Sequence, residues 1–187
     1  MSVFDHPEFD RHEAIHFFDE PETGLRAIIA VHSTALGPGA GGCRRWTYNS
    51  DRDAITDVLR LSRGMTYKNA LAGLDFGGGK AVIIADPRTD KTPKLLQAFA
   101  GAINELNGRY ITGEDVGLVP ADMDILARYT PYVRGGTKNR RGDPSPFTAL
   151  GVFEGMREAC RFTFGNDSLE GRTVSLQGLG NVGWKLA

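Results

Sequence analysis

The chain has 187 residues, 41% of them hydrophobic and 24% charged, with a formal net charge of −1. That balance fits one globular domain, or one and a part, and gives no basic face for nucleic acid or a membrane surface. No apolar run is long enough to span a bilayer. The two cysteines, Cys43 and Cys160, are too far apart for a CxxC pattern, so neither a disulfide scaffold nor a metal site is expected.

The first residues lack a basic segment followed by an apolar core, so a signal peptide is not expected and a reducing cytoplasm is the default. His12 to Phe18 and Leu25 to Ser33 read as two strands around Pro21-Glu22-Thr23-Gly24, an antiparallel hairpin. A glycine-rich stretch, Gly37 to Gly42, leads into Cys43-Arg44-Arg45-Trp46. It is either a flexible connection or a place where backbone approaches a ligand closely. Ser50 with Asp53 resembles a capping box. Ile55, Val58, Leu59 and Ser62 then share one helical face. Gly64 costs such a helix about 1 kcal/mol relative to Ala, yet the pattern continues, placing Lys68 near the C-terminal end, where the helix dipole favours a cation.

Gly77-Gly78-Gly79-Lys80 reads as a glycine loop entering a strand over 81–86. A phosphate-binding P-loop fails here: Leu74 stands at the first glycine position, Ala81 replaces Ser/Thr, and a strand follows instead of a helix. Most lysines are solvated, but Lys68 and Lys80 lie among apolar residues and glycines with few acids nearby. One ammonium could hold a carboxylate while the other does proton chemistry.

Thr92-Pro93 marks the next helix start. Leu95, Leu96, Phe99, Ala102, Ile103 and Leu106 form its apolar stripe, and Asn107-Gly108 ends it. A short strand over 109–112 follows, so strand, helix and strand make a parallel crossover. Asp115 then lies just beyond a strand's carboxyl end, where ligands gather in such sheets; capping a helix over 121–129 is its bland alternative. Lys138, Arg140 and Arg141 read as a solvated patch. A helix over 145–163 ends at Gly165. A strand over 173–177 runs into Gly178-Leu179-Gly180-Asn181-Val182-Gly183, a G-x-G-x-x-G placed as in a dinucleotide fingerprint. The acidic residue expected about 20 positions further on does not occur, so the chain reads as a fragment of a longer protein or a natural truncation.

The expected fold is α/β: a mostly parallel sheet with an N-terminal antiparallel hairpin, helices on both faces, and the start of a Rossmann domain. The expected division is 1–145 and 146–187.

Gly41-Gly42, Gly-Met-Thr-Tyr-Lys68-Asn, Gly-Gly-Gly-Lys80, Tyr-Ile-Thr-Gly-Glu-Asp115-Val-Gly, Pro-Ser-Pro-Phe-Thr148-Ala and Gln-Gly-Leu-Gly-Asn-Val-Gly183 occur in this order. Together they resemble the glutamate/leucine/phenylalanine/valine dehydrogenases, with the leucine and phenylalanine branch nearest. The resemblance implies NAD-dependent deamination of an L-amino acid to a 2-oxo acid and ammonia, with NADP left open, by a homo-oligomer. It implies that Lys80 is the base and that Asp115 exchanges a proton with the amino group. Lys68 would pair with the substrate carboxylate, and Gly42 and Met65 would line the substrate site. Ala40 and Gly113 would flank the side-chain pocket, where leucine-preferring relatives look bulkier, so phenylalanine is expected over valine. Thr148 would lie near the nicotinamide, and Gly178, Gly180, Asn181, Val182 and Gly183 near the pyrophosphate. Residues 1–145 would bind substrate and oligomerise; 146–187 would link to and open the dinucleotide domain. This chain alone is expected to be inactive. The alternative is a non-enzymatic domain that only self-associates.

Overall fold

The computed structural model describes residues 2–86, 88, 91–137 and 143–187. Lys138, Arg140 and Arg141 lie outside the described residues. The chain divides into two compact units, residues 1–140 and 141–187.

In the first unit, β1 (Ala14–Glu20) and β2 (Leu25–Ser33) form the expected antiparallel hairpin. Short strands β3 (Gly39–Ala40) and β4 (Cys43–Trp46) follow, then helix α1 (Asp51–Leu71) and strand β5 (Gly77–Ile84). Helix α2 (Pro93–Glu105), strand β6 (Tyr110–Ile111) and helix α3 (Pro120–Leu126) complete the unit. The sheet order is β1-β2-β5-β3-β6, with β4 also pairing with β5.

The sheet is mixed, not mostly parallel. β2 runs antiparallel to both β1 and β5, while β3 and β4 lie parallel to β5, and β3 parallel to β6. The cause is the placement of the hairpin: its second strand docks directly on β5, with Ala30 opposite Lys80. The expected crossover is present, because β5 and β6 both run parallel to β3, which lies between them.

β3 and β4 keep one register against β5: Gly39 faces Gly77 and Cys43 faces Ala81. Residues 39–46 are therefore one middle stretch, interrupted at Gly41-Gly42. Along its other edge the N–H groups of Gly39, Gly41, Cys43 and Arg45 donate to the carbonyls of Arg109, Ile111, Gly113 and Val116.

Gly77, Gly78 and Gly79 lie inside β5 rather than in a loop before it. Their lack of side chains serves close packing. A Cβ at Gly78 would fall inside the contact radius of the Thr66 hydroxyl and amide on α1, and one at Gly79 would sit 2.7 Å from the Tyr110 ring.

The helices cover both faces, as the sequence implies. On one face Leu95, Leu96, Phe99 and Ile103 of α2 pack on Ile29, Val31, Ala81 and Ile83. On the other, Ala54, Val58 and Leu59 of α1 pack on Ile28, Ala30 and Val82. Fully burying one such aliphatic or aromatic side chain is worth about 1.5–3 kcal/mol. The Ser50 hydroxyl accepts from the Asp53 N–H at the start of α1, and the Thr92 hydroxyl from the Leu95 N–H at the start of α2. These caps satisfy backbone donors that would otherwise have no partner.

The second unit holds α4 (Ser145–Phe164) and α5 (Gly183–Leu186). Gly165 ends α4 in the left-handed conformation, φ +77°. Residues 173–177, expected as a strand, carry no strand pairing. A strand needs a neighbouring backbone to complete its hydrogen bonds, and the described residues of this unit contain no other strand.

Candidate active site

Side chains alternate along a strand. Ala81 and Ile83 of β5 therefore face α2, while Lys80 and Val82 face α1. Lys80 is 6% exposed, and its Nζ lies 2.7 Å from Asp115 Oδ2. Asp115 follows β6 and is held by the bonds from Cys43 N–H to Gly113 O and from Arg45 N–H to Val116 O. Gly42 lies on the middle stretch between the two charged residues. A Cβ there would collide with the Glu114 carbonyl and stand 3.1 Å from Asp115 Cβ.

Two residues beyond Gly42, Arg44 faces the same side of the sheet. Its Nε lies 3.3 Å from Asp115 Oδ2, and its Nη1 donates to both oxygens of Asp57 on α1, at 2.9 and 3.1 Å. The Tyr48 hydroxyl also donates to Asp57, at 2.7 Å. Two cations and two anions thus alternate through the site. Burial by itself would raise the Asp115 pKa; the Lys80 ammonium, helped by the Val116 N–H and Arg44, outweighs it and holds the carboxyl below its usual range. Burial pushes the Cys43 thiol far up, which keeps it protonated and inert beneath the sheet.

Met65 of α1 rests on Gly41: a Cβ at Gly41 would lie 2.9 Å from Met65 Cγ. Lys68, three residues on and so on the same helical face, is exposed in the last turn and has no ion-pair partner among the described residues. Asn69 Nδ2 donates to Gly77 O at 2.6 Å and to Ala40 O at 3.3 Å, pinning this end of α1 to two strands. Ala40 ends β3 and Gly113 follows β6, both at the carboxyl ends of parallel strands. A cleft of about 620 Å³ borders the site beyond Arg44, lined by Trp46, Tyr48, Asp57, Arg60 and Val116 among others. No group of three or more His, Cys, Asp or Glu among the described residues could hold a metal ion.

Lys80, Asp115, Gly42, Ala40, Gly113, Met65 and Lys68 therefore share one end of the first unit. The nearest charged partner of Lys80 is a carboxylate and not Lys68. Sequence reasoning missed Arg44, Asp57 and Asn69. Strand alternation counted from Gly42 would have placed Arg44 on the site's face; Asn69 closes the motif Gly-Met-Thr-Tyr-Lys68-Asn, which gives it no role of its own.

The remaining candidates lie in the second unit. The Thr148 hydroxyl, in the first turn of α4, donates to Pro144 O at 3.1 Å. Gly178 takes a positive φ of +89°, and a Cβ at Gly183 would collide with the Gly178 carbonyl. Those two glycines let the turn close on itself. Trp184 N–H donates to Gly180 O, Leu186 N–H to Val182 O, and Lys185 Nζ to Asn181 O.

Residues 12–132 match the family described as Glu/Leu/Phe/Val dehydrogenase, dimerisation domain. The chain belongs to this family. Similar members include a leucine dehydrogenase from Geobacillus stearothermophilus, 53% identical over 100% of this chain and 51% of its own length. A phenylalanine dehydrogenase from Caldalkalibacillus thermarum is 49% identical over 100% and 51%. The crystal structure of an L-tryptophan dehydrogenase from Nostoc punctiforme aligns with a TM-score of 0.70 at 44% identity, covering 94% of this chain and 50% of that one. The chain spans about half the length of the curated relatives it matches. As a Glu/Leu/Phe/Val dehydrogenase domain it has the mixed α/β fold described above. No helix among its described residues is long and apolar enough to cross a membrane.

Proposed function

We propose that this chain forms the amino-acid-binding part of an NAD(P)-dependent dehydrogenase. The reaction takes an L-amino acid with a large apolar or aromatic side chain to the 2-oxo acid and ammonia, consuming one water. The Lys80–Asp115 pair, with Lys80 buried and Asp115 partly so, meets at 2.7 Å beside Gly42 and carries this reading. Self-association alone would need no charged pair desolvated in this way, since burying ions is costly.

Lys68, exposed and with no ion-pair partner among the described residues, can take the substrate carboxylate. Gly41 and Gly42 let the Gly79 and Glu114 carbonyls and Met65 close in beside the pair, which shapes this end of the sheet for the substrate. Asp115 accepts a proton from the amino group, which must be neutral before Cα is oxidised. Lys80 must first release its own ammonium proton to solvent; the neutral amine then takes a proton from the water that attacks the imine carbon. Its contact with Asp115 gives that proton a path to a second group. Ala40 and Gly113 leave space for a large side chain, which places phenylalanine above valine.

The turn at Gly178, Gly180, Asn181, Val182 and Gly183 fits a pyrophosphate, because its glycines leave no Cβ between ligand and backbone. When bound there, the nicotinamide cofactor would supply the hydride acceptor, with Thr148 near it. NAD is the proposed cofactor. We assign residues 1–145 to substrate binding and homo-oligomer assembly, and 146–187 to the link and the opening of the dinucleotide domain. The free, buried Cys43 and Cys160 suit a reducing cytoplasm.

The test is amino-acid-dependent reduction of NAD by the complete protein, with leucine, phenylalanine and valine in parallel. The Lys80→Ala variant should lower kcat far more than it raises KM. A complete protein inert toward all three, or a Lys80→Ala variant with normal turnover, would sink the proposal.

A further inference from the structure

We infer that Arg44 and Asp57 are positioning residues: Asp57 locks the Arg44 guanidinium, and Arg44 holds the Asp115 carboxylate toward Lys80. The kinetic half of this inference rests on the dehydrogenase reading; the structural half does not.

The Arg44 guanidinium is used on two edges. Nη1 grips both oxygens of Asp57, while Nε is turned to Asp115 Oδ2 at 3.3 Å, the same oxygen that Lys80 approaches at 2.7 Å. Tyr48 fixes Asp57 from its other side. The result is a chain of contacts from α1 through β4 to Asp115. An aspartate carboxylate rotates easily about its last torsion, and Lys80 and the Val116 N–H already restrain it. Arg44, itself fixed by Asp57, adds a donor from a third direction and narrows the remaining freedom. A planar fork with donors on two edges serves two carboxylates in fixed directions, which suits arginine better than the freely rotating ammonium of lysine.

Stability gives no alternative motive. The side chains of Arg44, Asp57 and Asp115 are 26%, 25% and 21% exposed, and partly buried ion pairs of this kind are often no better than apolar packing. The groups touching Asp115 are Lys80 from β5, Arg44 from β4 and the Val116 N–H, with Asp57 of α1 acting through Arg44; Cys43 and Tyr110 pack in the core on the α2 face of the sheet and act on Asp115 only through the field.

The experiment uses the complete protein and the variants Arg44→Gln, Asp57→Asn and Tyr48→Phe. In Asp57→Asn, kcat should fall about tenfold while KM for the amino acid stays within about threefold. Tyr48→Phe should show a smaller fall of the same kind, and it decides the matter if Arg44→Gln does not fold. Isotope-edited infrared titration of 13C-aspartate-labelled protein without substrate supplies the second readout, with Asp115→Asn subtracted to identify the Asp115 band. Asp115 should titrate at higher pH in Arg44→Gln than in the unaltered protein. Unchanged titration with unchanged kcat overturns the inference. A lowered melting temperature without either change means a structural role only, and also overturns it. If the unaltered protein oxidises no amino acid, the dehydrogenase reading fails, and the titration alone decides whether Arg44 holds Asp115.

Discussion

Lys80 and Asp115 meet at 2.7 Å across a strand that carries no side chain at the crossing point, Gly42. In-register parallel strands point neighbouring side chains to the same face. A side chain at position 42 would strike the Glu114 carbonyl and crowd Asp115 Cβ, disturbing the segment that presents the carboxylate to Lys80.

Gly42→Ala is therefore expected to act on both stability and chemistry. Its Cβ cannot be placed without moving the Glu114 backbone or Asp115. Overpacking of this kind costs about 1–3 kcal/mol, measurable by urea unfolding. A shift of about 1 Å between Lys80 and Asp115 should lower kcat about 100-fold. A fully active Gly42→Ala protein would show that the crossing point is not needed.

Lys68→Ala should separate binding from chemistry. A charged hydrogen bond to a carboxylate is worth about 1.5–3 kcal/mol, so KM should rise about 10- to 100-fold with kcat little changed. Steady-state kinetics over a wide amino-acid range checks this. A loss confined to kcat would move Lys68 out of the carboxylate-binding role.

The buried His12 and the half-buried His16 and His32 set the acid limit of stability. Burial is the leading cause that lowers the pKa values of His12, His16 and His32. His12 is further fixed as an acceptor from Asp10 N–H at Nδ1, with Nε2 near Leu59 O. The folded state thus binds these protons less readily than the unfolded chain. Stability should be full above about pH 6.5, the unperturbed histidine value, and fall as pH drops through the lower folded values. Asp115, also depressed, adds a second loss below about pH 4, when its carboxylate is protonated. Urea midpoints measured across this range test the sign; a midpoint that rises on acidification contradicts it.

Leu59 and Ser50 test the helix that carries Lys68. Leu59 is fully buried against the sheet, so Leu59→Ala should cost about 2–5 kcal/mol. Ser50→Ala removes only the cap and should cost about 1 kcal/mol. Equal effects would mean that α1 is not held by its apolar face.

Much of the fold could be read from periodicity. The hairpin, the two capped helices and the stripe from Leu95 to Leu106 were visible because each repeats at the spacing of its element. The sheet's mixed direction was not, since nothing local says which strand β2 will neighbour. The three glycines of β5 suggested a loop because glycine is usually a sign of backbone freedom; here it marks where Thr66 and Tyr110 press on a strand. Lys80 and Asp115 stood out by their settings, whereas Arg44 and Asp57 acquire meaning only when α1 and β4 are brought side by side.

Gly113 differs from Gly42 in one measurable respect. A Cβ at Gly113 would meet only the Arg134 carbonyl, at 3.5 Å, an ordinary contact. The site therefore has one wall that tolerates no change and another that does. Gly113→Ala should fold normally and trim the space beside the substrate side chain, lowering the phenylalanine-to-valine ratio of kcat/KM about tenfold or more. An unchanged ratio would place the side-chain pocket elsewhere. Lineages descending from one ancestral scaffold could thus drift from bulky to small amino acids by substitutions at position 113, while the proton-handling centre stays under a constraint that no substitution at position 42 can relax.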